Sequence, residues 1–94
     1  MVYAQQKLQS IIQAAVESCG FFAKSVRIEK PADTKHGDYA TNVALLLAKQ
    51  ENAKPQELAT KIVQQILAQN EKILEKVEIA DPGFINFYLS KKTL

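Results

Sequence analysis

Long apolar runs and cysteines are scarce in this chain, and their scarcity excludes several classes of protein. No run approaches the ~18 apolar residues that a membrane span needs. Residues 1–10 lack the basic, apolar and small-residue order of a signal peptide. The one cysteine, Cys19, has no partner for an internal disulfide and cannot form a multi-cysteine zinc site. We therefore expect a cytoplasmic protein without a membrane span or a metal.

Charge of one sign is also scarce. The chain has 12 Lys and Arg residues against 10 Asp and Glu, a formal net charge of +2, and both signs are spread along it. A protein that binds nucleic acid by itself usually concentrates its basic residues, because affinity rises with the number of phosphates neutralised. If this chain binds nucleic acid, we expect it to supply one contact among several in a larger assembly.

The length and the apolar periodicity predict one domain that begins with helices. A chain of 94 residues, 47% of them hydrophobic, is long enough for one core and too short for two. Apolar residues recur at helical spacing over residues 8–19, and Gly20 is placed to end that helix. Val26 and Ile28 alternate with charged residues, which predicts a short strand closed by Pro31.

The middle of the chain predicts two further helices. After a polar loop with a short strand near residues 34–36, Asp38 is placed to cap a helix whose apolar run, residues 43–48, is buried on most sides. Pro55 suits the first turn of the next helix, and Asn70 is placed to cap one more turn. The buried stripe of that third helix is predicted to contain Leu58, Ala59, Ile62, Val63, Ile66 and Leu67.

The end of the chain changes to the two-residue period of strands. Residues 77–80 and 84–89 alternate, and Asp81-Pro82-Gly83 between them predicts the turn of a hairpin. Because side chains alternate between the two sides of a strand, the last strand has two faces. The covered face consists of Ile85, Phe87 and Leu89. The open face consists of Phe84, Asn86 and Tyr88.

The open face carries groups that suit an unstacked nucleobase. An aromatic ring offers a base a stacking surface worth about 1 to 3 kcal/mol, and an amide both donates to and accepts from a base edge. Two aromatic residues beside an amide therefore indicate a site for a base of a folded RNA. The alternative is structural: Phe84 and Tyr88 cover a sheet edge or pack under the opening segment.

Two blocks of residues resemble a known family. Residues 36–44 (HGDYATNVA), followed by Leu47-Ala48-Lys49, resemble the signature of the N-terminal additional domain of arginyl-tRNA synthetases. Residues 77–89 (VEIADPGFINFYL) resemble the closing hairpin of the same domain. The blocks occur in the family's order with matching helices before and between them, so the resemblance covers nearly the whole chain.

The resemblance implies both a fold and a function. The fold is α+β, with about three to four helices packed on one face of a small antiparallel sheet of three to four strands. Residues 1–94 would form a single tRNA-binding domain that holds the D-loop, at the outer corner of arginine tRNA. The resemblance assigns Phe84 to stacking, Asn86 to the base edge and Asp81, less strongly, to the turn near the base. Tyr88 joins these candidates from the open face.

The resemblance also implies what lies elsewhere in such a synthetase. This chain has no His-x-Gly-His or Lys-Met-Ser-Lys type motif and no Gly-rich phosphate loop, so we expect no catalytic residue and no cofactor here. The arginine–tRNA ligase activity and its ATP would belong to a catalytic domain that begins shortly after Leu94. The expected partners are arginine tRNA and that catalytic domain, and the expected state is a monomer.

The residues alone leave two other classes of protein open. One is an independent small RNA- or protein-binding module that shares the aromatic face. The other is a small enzyme that uses His36 and Asp38 as an acid–base pair, although no nucleophile accompanies them. A set of basic residues is compatible either with contacts to phosphates or with an ordinary solvated face. It comprises Lys24, Arg27, Lys30 and Lys35.

Overall fold

Three α-helices and a three-stranded antiparallel sheet form the domain. The structure, a computed structural model, describes residues 2–31 and 37–90, with side chains from Ala4 onward. The helices are α1 (Val2–Ser18), α2 (Val43–Glu51) and α3 (Pro55–Ala68), and the strands are β1 (Tyr39–Thr41), β2 (Leu74–Ala80) and β3 (Phe84–Leu89). This confirms the predicted α+β class. The short strand predicted near residues 34–36 lies outside the described residues.

Helix α1 ends where the sequence predicts. Gly20 adopts a φ of 83°, a left-handed conformation that glycine accepts at no steric cost. The N–H of Gly20 donates to the carbonyl of Glu17 at 2.9 Å, and the N–H of Phe21 donates to the carbonyl of Val16 at 3.2 Å. These two bonds form a Schellman cap, which satisfies the last carbonyls of the helix. No helix in the described ranges is both long and apolar enough to span a membrane.

Asp38 does not cap a helix, so that prediction is wrong. Helix α2 begins later, at Val43, and the residues after Asp38 form β1 instead. The Asp38 carboxylate accepts a hydrogen bond from the N–H of Leu89 at 2.8 Å, and its own N–H donates to the carbonyl of Phe87 at 2.8 Å. A Cβ at Gly37 would lie 2.7 Å from that same carbonyl oxygen. Residues 37–38, which directly precede β1, therefore bind the backbone of β3.

Two other local predictions fail for reasons of backbone conformation and pairing. Asn70 does not cap a further turn: it takes a φ of 53°, and β2 begins at Leu74. Asparagine is favoured both at helix starts and in left-handed positions after helix ends, so the residue type alone does not distinguish them. The strand predicted at Val26 and Ile28 is reduced to a single bridge between Glu29 and Ala40.

Strand β3 lies between β1 and β2 and is antiparallel to both. Its covered face is confirmed, since Ile85 and Phe87 are fully buried and Leu89 is 6% exposed. The helices pack on this face of the sheet, where the largest buried side chains gather. Those from the helices are Leu8, Ile11, Ile12, Val16, Val43, Leu47, Ile62 and Ile66.

Two leucines predicted to be buried are exposed. Leu46 of α2 is 45% exposed and Leu67 of α3 is 59% exposed, whereas Leu47 is 2% exposed. Helix α2 is covered on one side by β3 and α3, so its apolar run is not buried all round. Val63 is only partly buried, and the remaining four residues of the predicted α3 stripe are buried as expected.

The neighbouring leucines of α2 provide a direct test of this packing. Leu47→Ala is expected to lower the free energy of unfolding by about 2 to 5 kcal/mol, because it leaves a cavity in the core. Leu46→Ala removes the same atoms from the surface and should stay within about 0.5 kcal/mol of the parent. Urea denaturation of both variants measures the difference. Equal midpoints would contradict the described orientation of α2.

Candidate nucleic-acid interface

Strand pairing decides which side chains are neighbours on the side of the sheet away from the helices. Residues directly opposite each other in a ladder share a face. Asn86 lies opposite Ala40 of β1 on one side and opposite Glu78 of β2 on the other. Glu29 lies opposite Ala40 and exchanges two backbone hydrogen bonds of 2.8 Å with it. One row across the sheet therefore contains Glu29, Ala40, Asn86 and Glu78.

Asn86 lies on the predicted face, but it is less accessible than the sequence predicts. It is only 7% exposed, because it occupies the central strand and the residue bridged to β1 extends the sheet beside it. The expectation of a freely exposed amide is therefore wrong. Within the described part of the chain, the Asn86 side chain forms no hydrogen bond. The described residues therefore leave its capacity to donate and to accept unused.

A shallow concavity lies over this amide. Its volume is about 260 Å³, and we call it the Asn86 concavity. Among the described residues it is lined by Glu29, Pro31, Ala40, Ala80, Phe84 and Asn86. Sites for drug-sized ligands usually measure about 300 to 1,000 Å³, so this one suits a single planar ring better than a large molecule. The small side chains of Ala40 and Ala80 keep it open.

Phe84 forms an apolar wall of the Asn86 concavity. It lies opposite Ala80, where β2 and β3 meet the hairpin turn, and it is partly buried. The small Ala80 side chain does not cover the Phe84 ring as a larger neighbour would. An aromatic ring beside an unused amide can stack on a base whose edge meets that amide.

Tyr88, the other predicted aromatic residue, belongs to a polar cluster next to the concavity. Its hydroxyl donates to Glu78 at 2.9 Å, and the Lys76 ammonium lies 3.0 Å from the same carboxylate and 5.0 Å from the centre of the Tyr88 ring. The hydrogen bonds from Lys76 and then Tyr88 lower the pKa of Glu78. The same hydrogen bond to Glu78 raises the pKa of the Tyr88 hydroxyl. Tyr88 is thus less available for stacking than Phe84.

Asp81 lies in the hairpin turn, exposed, and its carboxylate accepts a hydrogen bond from the side chain of Gln56. The turn also lies close against the neighbouring residue of α3, since a Cβ at Gly83 would come within 2.7 Å of the Pro55 side chain. The Asp81–Pro82 peptide bond is cis. The first turn of α3 therefore fixes the hairpin turn, and with it the start of β3 where Phe84 stands.

Three of the basic residues noted in the sequence are exposed on the segment that runs beside β1. They are Lys24, Arg27 and Lys30, while Lys35 lies outside the described residues. The backbone of this segment is held by a hydrogen bond of 2.7 Å from the Thr41 hydroxyl to the carbonyl of Arg27. Lys24 lines a different pocket, beside α2, and the Lys30 ammonium lies 6.0 Å from the centre of the ring of Tyr39, a buried residue of the covered face. Lys24 and Lys30 are therefore not gathered at the Asn86 concavity.

The acid–base pair proposed for a small enzyme finds little support in the described structure. His36 lies outside the described residues, and the Asp38 carboxylate is engaged by the backbone of β3. Among the residues that are described, no group of three or more His, Cys, Asp and Glu side chains is arranged to hold a metal.

The fold is a small α+β domain with a shallow concavity on the side of the sheet away from the helices. The family model described as arginyl tRNA synthetase N terminal domain matches residues 6–89. The chain therefore belongs to the family of arginyl-tRNA synthetase N-terminal domains, as the two sequence blocks indicated.

Full-length relatives agree with this assignment. The chain is 48% identical over 94 residues to the arginine–tRNA ligase of Bordetella pertussis, an alignment that covers 96% of this chain and 17% of that protein. It is 45% identical over 87 residues to the arginine–tRNA ligase of Chlorobium limicola, covering 92% and 16%. The chain thus spans about a sixth of the length of these curated relatives.

Solved structures carry the same fold. The arginyl-tRNA synthetase of Plasmodium falciparum superposes with a TM-score of 0.78 at 26% identity, over 94% of this chain and 16% of that one. The arginyl-tRNA synthetase of Thermus thermophilus gives a TM-score of 0.78 at 22% identity, over 94% and 14%. Because the identity to the Thermus thermophilus protein is only 22%, that similarity shows the fold alone.

Proposed function

We propose that this domain holds the D-loop of arginine tRNA and positions the tRNA for charging by the catalytic domain of the same synthetase. One observation carries the proposal: the unused amide of Asn86 lies in a concavity sized for one ring, beside the ring of Phe84. A base turned out of a folded RNA would stack on Phe84 and meet the amide with its edge.

The charge of the domain limits how many phosphates it can meet. Arg27, which is exposed and held beside β1 through its backbone carbonyl, is the basic residue we place against the RNA backbone next to the bound base. A formal net charge of +2 supports few such contacts, so the domain acts together with the rest of the enzyme. Its partners are then arginine tRNA and the catalytic domain, in a cytoplasmic monomer whose ATP is bound outside this domain.

The roles follow from the positions of the four predicted residues. Phe84 stacks on the base and Asn86 hydrogen-bonds to its edge. Asp81, fixed by Gln56, keeps the turn in place and contacts the RNA only secondarily. Tyr88, engaged by Glu78 and Lys76, borders the site rather than forming its floor.

Filling the Asn86 concavity tests the proposal without removing either contact residue. Ala40→Ile adds a larger side chain to its floor, and a β-branched residue suits a strand. In the complete ligase, kcat/KM for tRNA charging is expected to fall by about five-fold, equivalent to about 1 kcal/mol. Wild-type charging by a folded Ala40→Ile enzyme would show that no base enters this concavity.

A further inference from the structure

The carboxylate of Glu29 lines the Asn86 concavity and has no partner among the described residues. Glu29 is exposed, and within residues 2–31 and 37–90 no ion pair or hydrogen bond reaches its side chain. Its backbone, in contrast, is fixed by the two hydrogen bonds with Ala40. The carboxylate is therefore held beside the concavity without being neutralised by a partner.

The other acidic residue in the same row is engaged differently. Glu78 borders Asn86 from β2, but its carboxylate accepts from Tyr88 and pairs with Lys76. Of the two carboxylates that flank Asn86, Glu29 is the one left to meet a ligand. It is also the one that lines the concavity, whereas Glu78 does not.

We propose that Glu29 is a further specificity-determining residue of the base site: its carboxylate accepts a hydrogen bond from an amino group of the base that stacks on Phe84. This inference rests on the proposed function, since it presumes that a base enters the Asn86 concavity. It adds a residue that belongs to neither of the two sequence blocks that resemble the family.

The spacing of the strands leaves room for a base between the two side chains. Adjacent strands lie about 4.7 to 4.9 Å apart, so the backbones of Glu29 and Asn86, two strands apart, are separated by about 9 to 10 Å. Ala40 lies between them and contributes only a methyl group. A base that rests above Ala40 therefore lies between the Asn86 side chain and the Glu29 side chain.

The two side chains together recognise one type of edge. An exocyclic amino group offers two N–H donors, one for the Asn86 carbonyl and one for the Glu29 carboxylate, while the Asn86 NH₂ donates to the adjacent ring nitrogen. On their Watson–Crick edges, adenine and cytosine carry this arrangement. Uracil and guanine place a carbonyl oxygen there, which the negative charge of Glu29 repels. Glu29 thus selects among bases where an amide alone accepts several.

Replacing the carboxylate by its isosteric amide tests this selection. Glu29→Gln keeps the size of the side chain and adds a donor that accommodates a carbonyl edge. The complete ligase, in wild-type and variant forms, is assayed with arginine tRNA transcripts in which each D-loop base is replaced in turn by the other three. The site position is the one at which Phe84→Ala removes the dependence of kcat/KM on the base.

At that position the wild type is expected to prefer adenine and cytosine over uracil and guanine, and Glu29→Gln should reduce this preference at least about five-fold. Glu17→Gln is the matched control, since it removes the same charge from α1 and should leave the base preference unchanged. If Glu29→Gln keeps the wild-type base preference while Phe84→Ala still removes that preference, the role of Glu29 is overturned and the proposed function stands. If Phe84→Ala removes no base dependence at any position, the proposed function fails and this inference fails with it.

Discussion

Phe84→Ala in the complete ligase is expected to lower kcat/KM for arginine charging by about five- to 150-fold. The estimate converts the ~1 to 3 kcal/mol of one base–aromatic stacking contact into a rate, at ten-fold for each ~1.4 kcal/mol. Phe84 is partly buried on the side of the sheet away from the helices, so its truncation removes the stacking wall and not the core. Steady-state charging at varied tRNA concentration measures the effect.

Asn86→Ala should give a loss of similar size, because it removes the amide on the floor of the Asn86 concavity. The split between KM and kcat is informative in both variants. A rise in KM alone means that the contact only holds the tRNA, whereas a fall in kcat means that it also aligns the acceptor end. Circular dichroism must show each variant folded. Normal charging by both folded variants would contradict the assignment of this face to tRNA.

Phe87→Ala is expected to have the opposite profile, a loss of stability of about 3 to 5 kcal/mol. Phe87 is fully buried on the covered face of β3, between Tyr39 of β1 and Val77 of β2. Natural domains are stable by only about 5 to 15 kcal/mol, so this loss removes a large share of the stability. Urea denaturation followed by circular dichroism provides the measurement.

Phe84 and Phe87 form a matched pair, since the same truncation is made on opposite sides of one strand. We expect Phe84→Ala to keep the parental urea midpoint and to charge tRNA more slowly. We expect Phe87→Ala to unfold at a lower urea concentration than the parent. If Phe87→Ala unfolds at the parental urea concentration, the helices do not pack on the face described for β3. If Phe84→Ala unfolds instead, its ring belongs to the core and its charging rate says nothing of RNA.

The parts of the fold that follow from local periodicity were predictable from the sequence. The apolar spacing of α1 and α3, the glycine after α1 and the alternation along β3 each depend on neighbours a few residues apart. Alternation also assigned Phe84, Asn86 and Tyr88 to one face. It could not give the burial of Asn86, because that depends on Glu29 and Ala40, which are distant along the chain.

The errors have a common physical cause. Strand β1 has only three residues and is defined by its pairing with β3, so residues 39–41 give no periodic signal of their own. Asp38 was assigned to a helix for the same reason: its partner is the backbone of Leu89, 51 positions further on. The position of Glu29 beside the Asn86 concavity likewise follows from a single bridge between Glu29 and Ala40, not from a sequence pattern.

The central place of β3 has a consequence for synthesis on the ribosome. Strands β1 and β2 do not pair with each other, and both depend on β3, which follows them in the chain. A nascent chain that has emerged only as far as β2 therefore has no three-stranded sheet, although its helices can already pack on one another. Pairing between distant segments is slow to form. The domain thus acquires its sheet, and with it the Asn86 concavity, in one late step, when the strand that carries Phe84 and Asn86 leaves the exit tunnel.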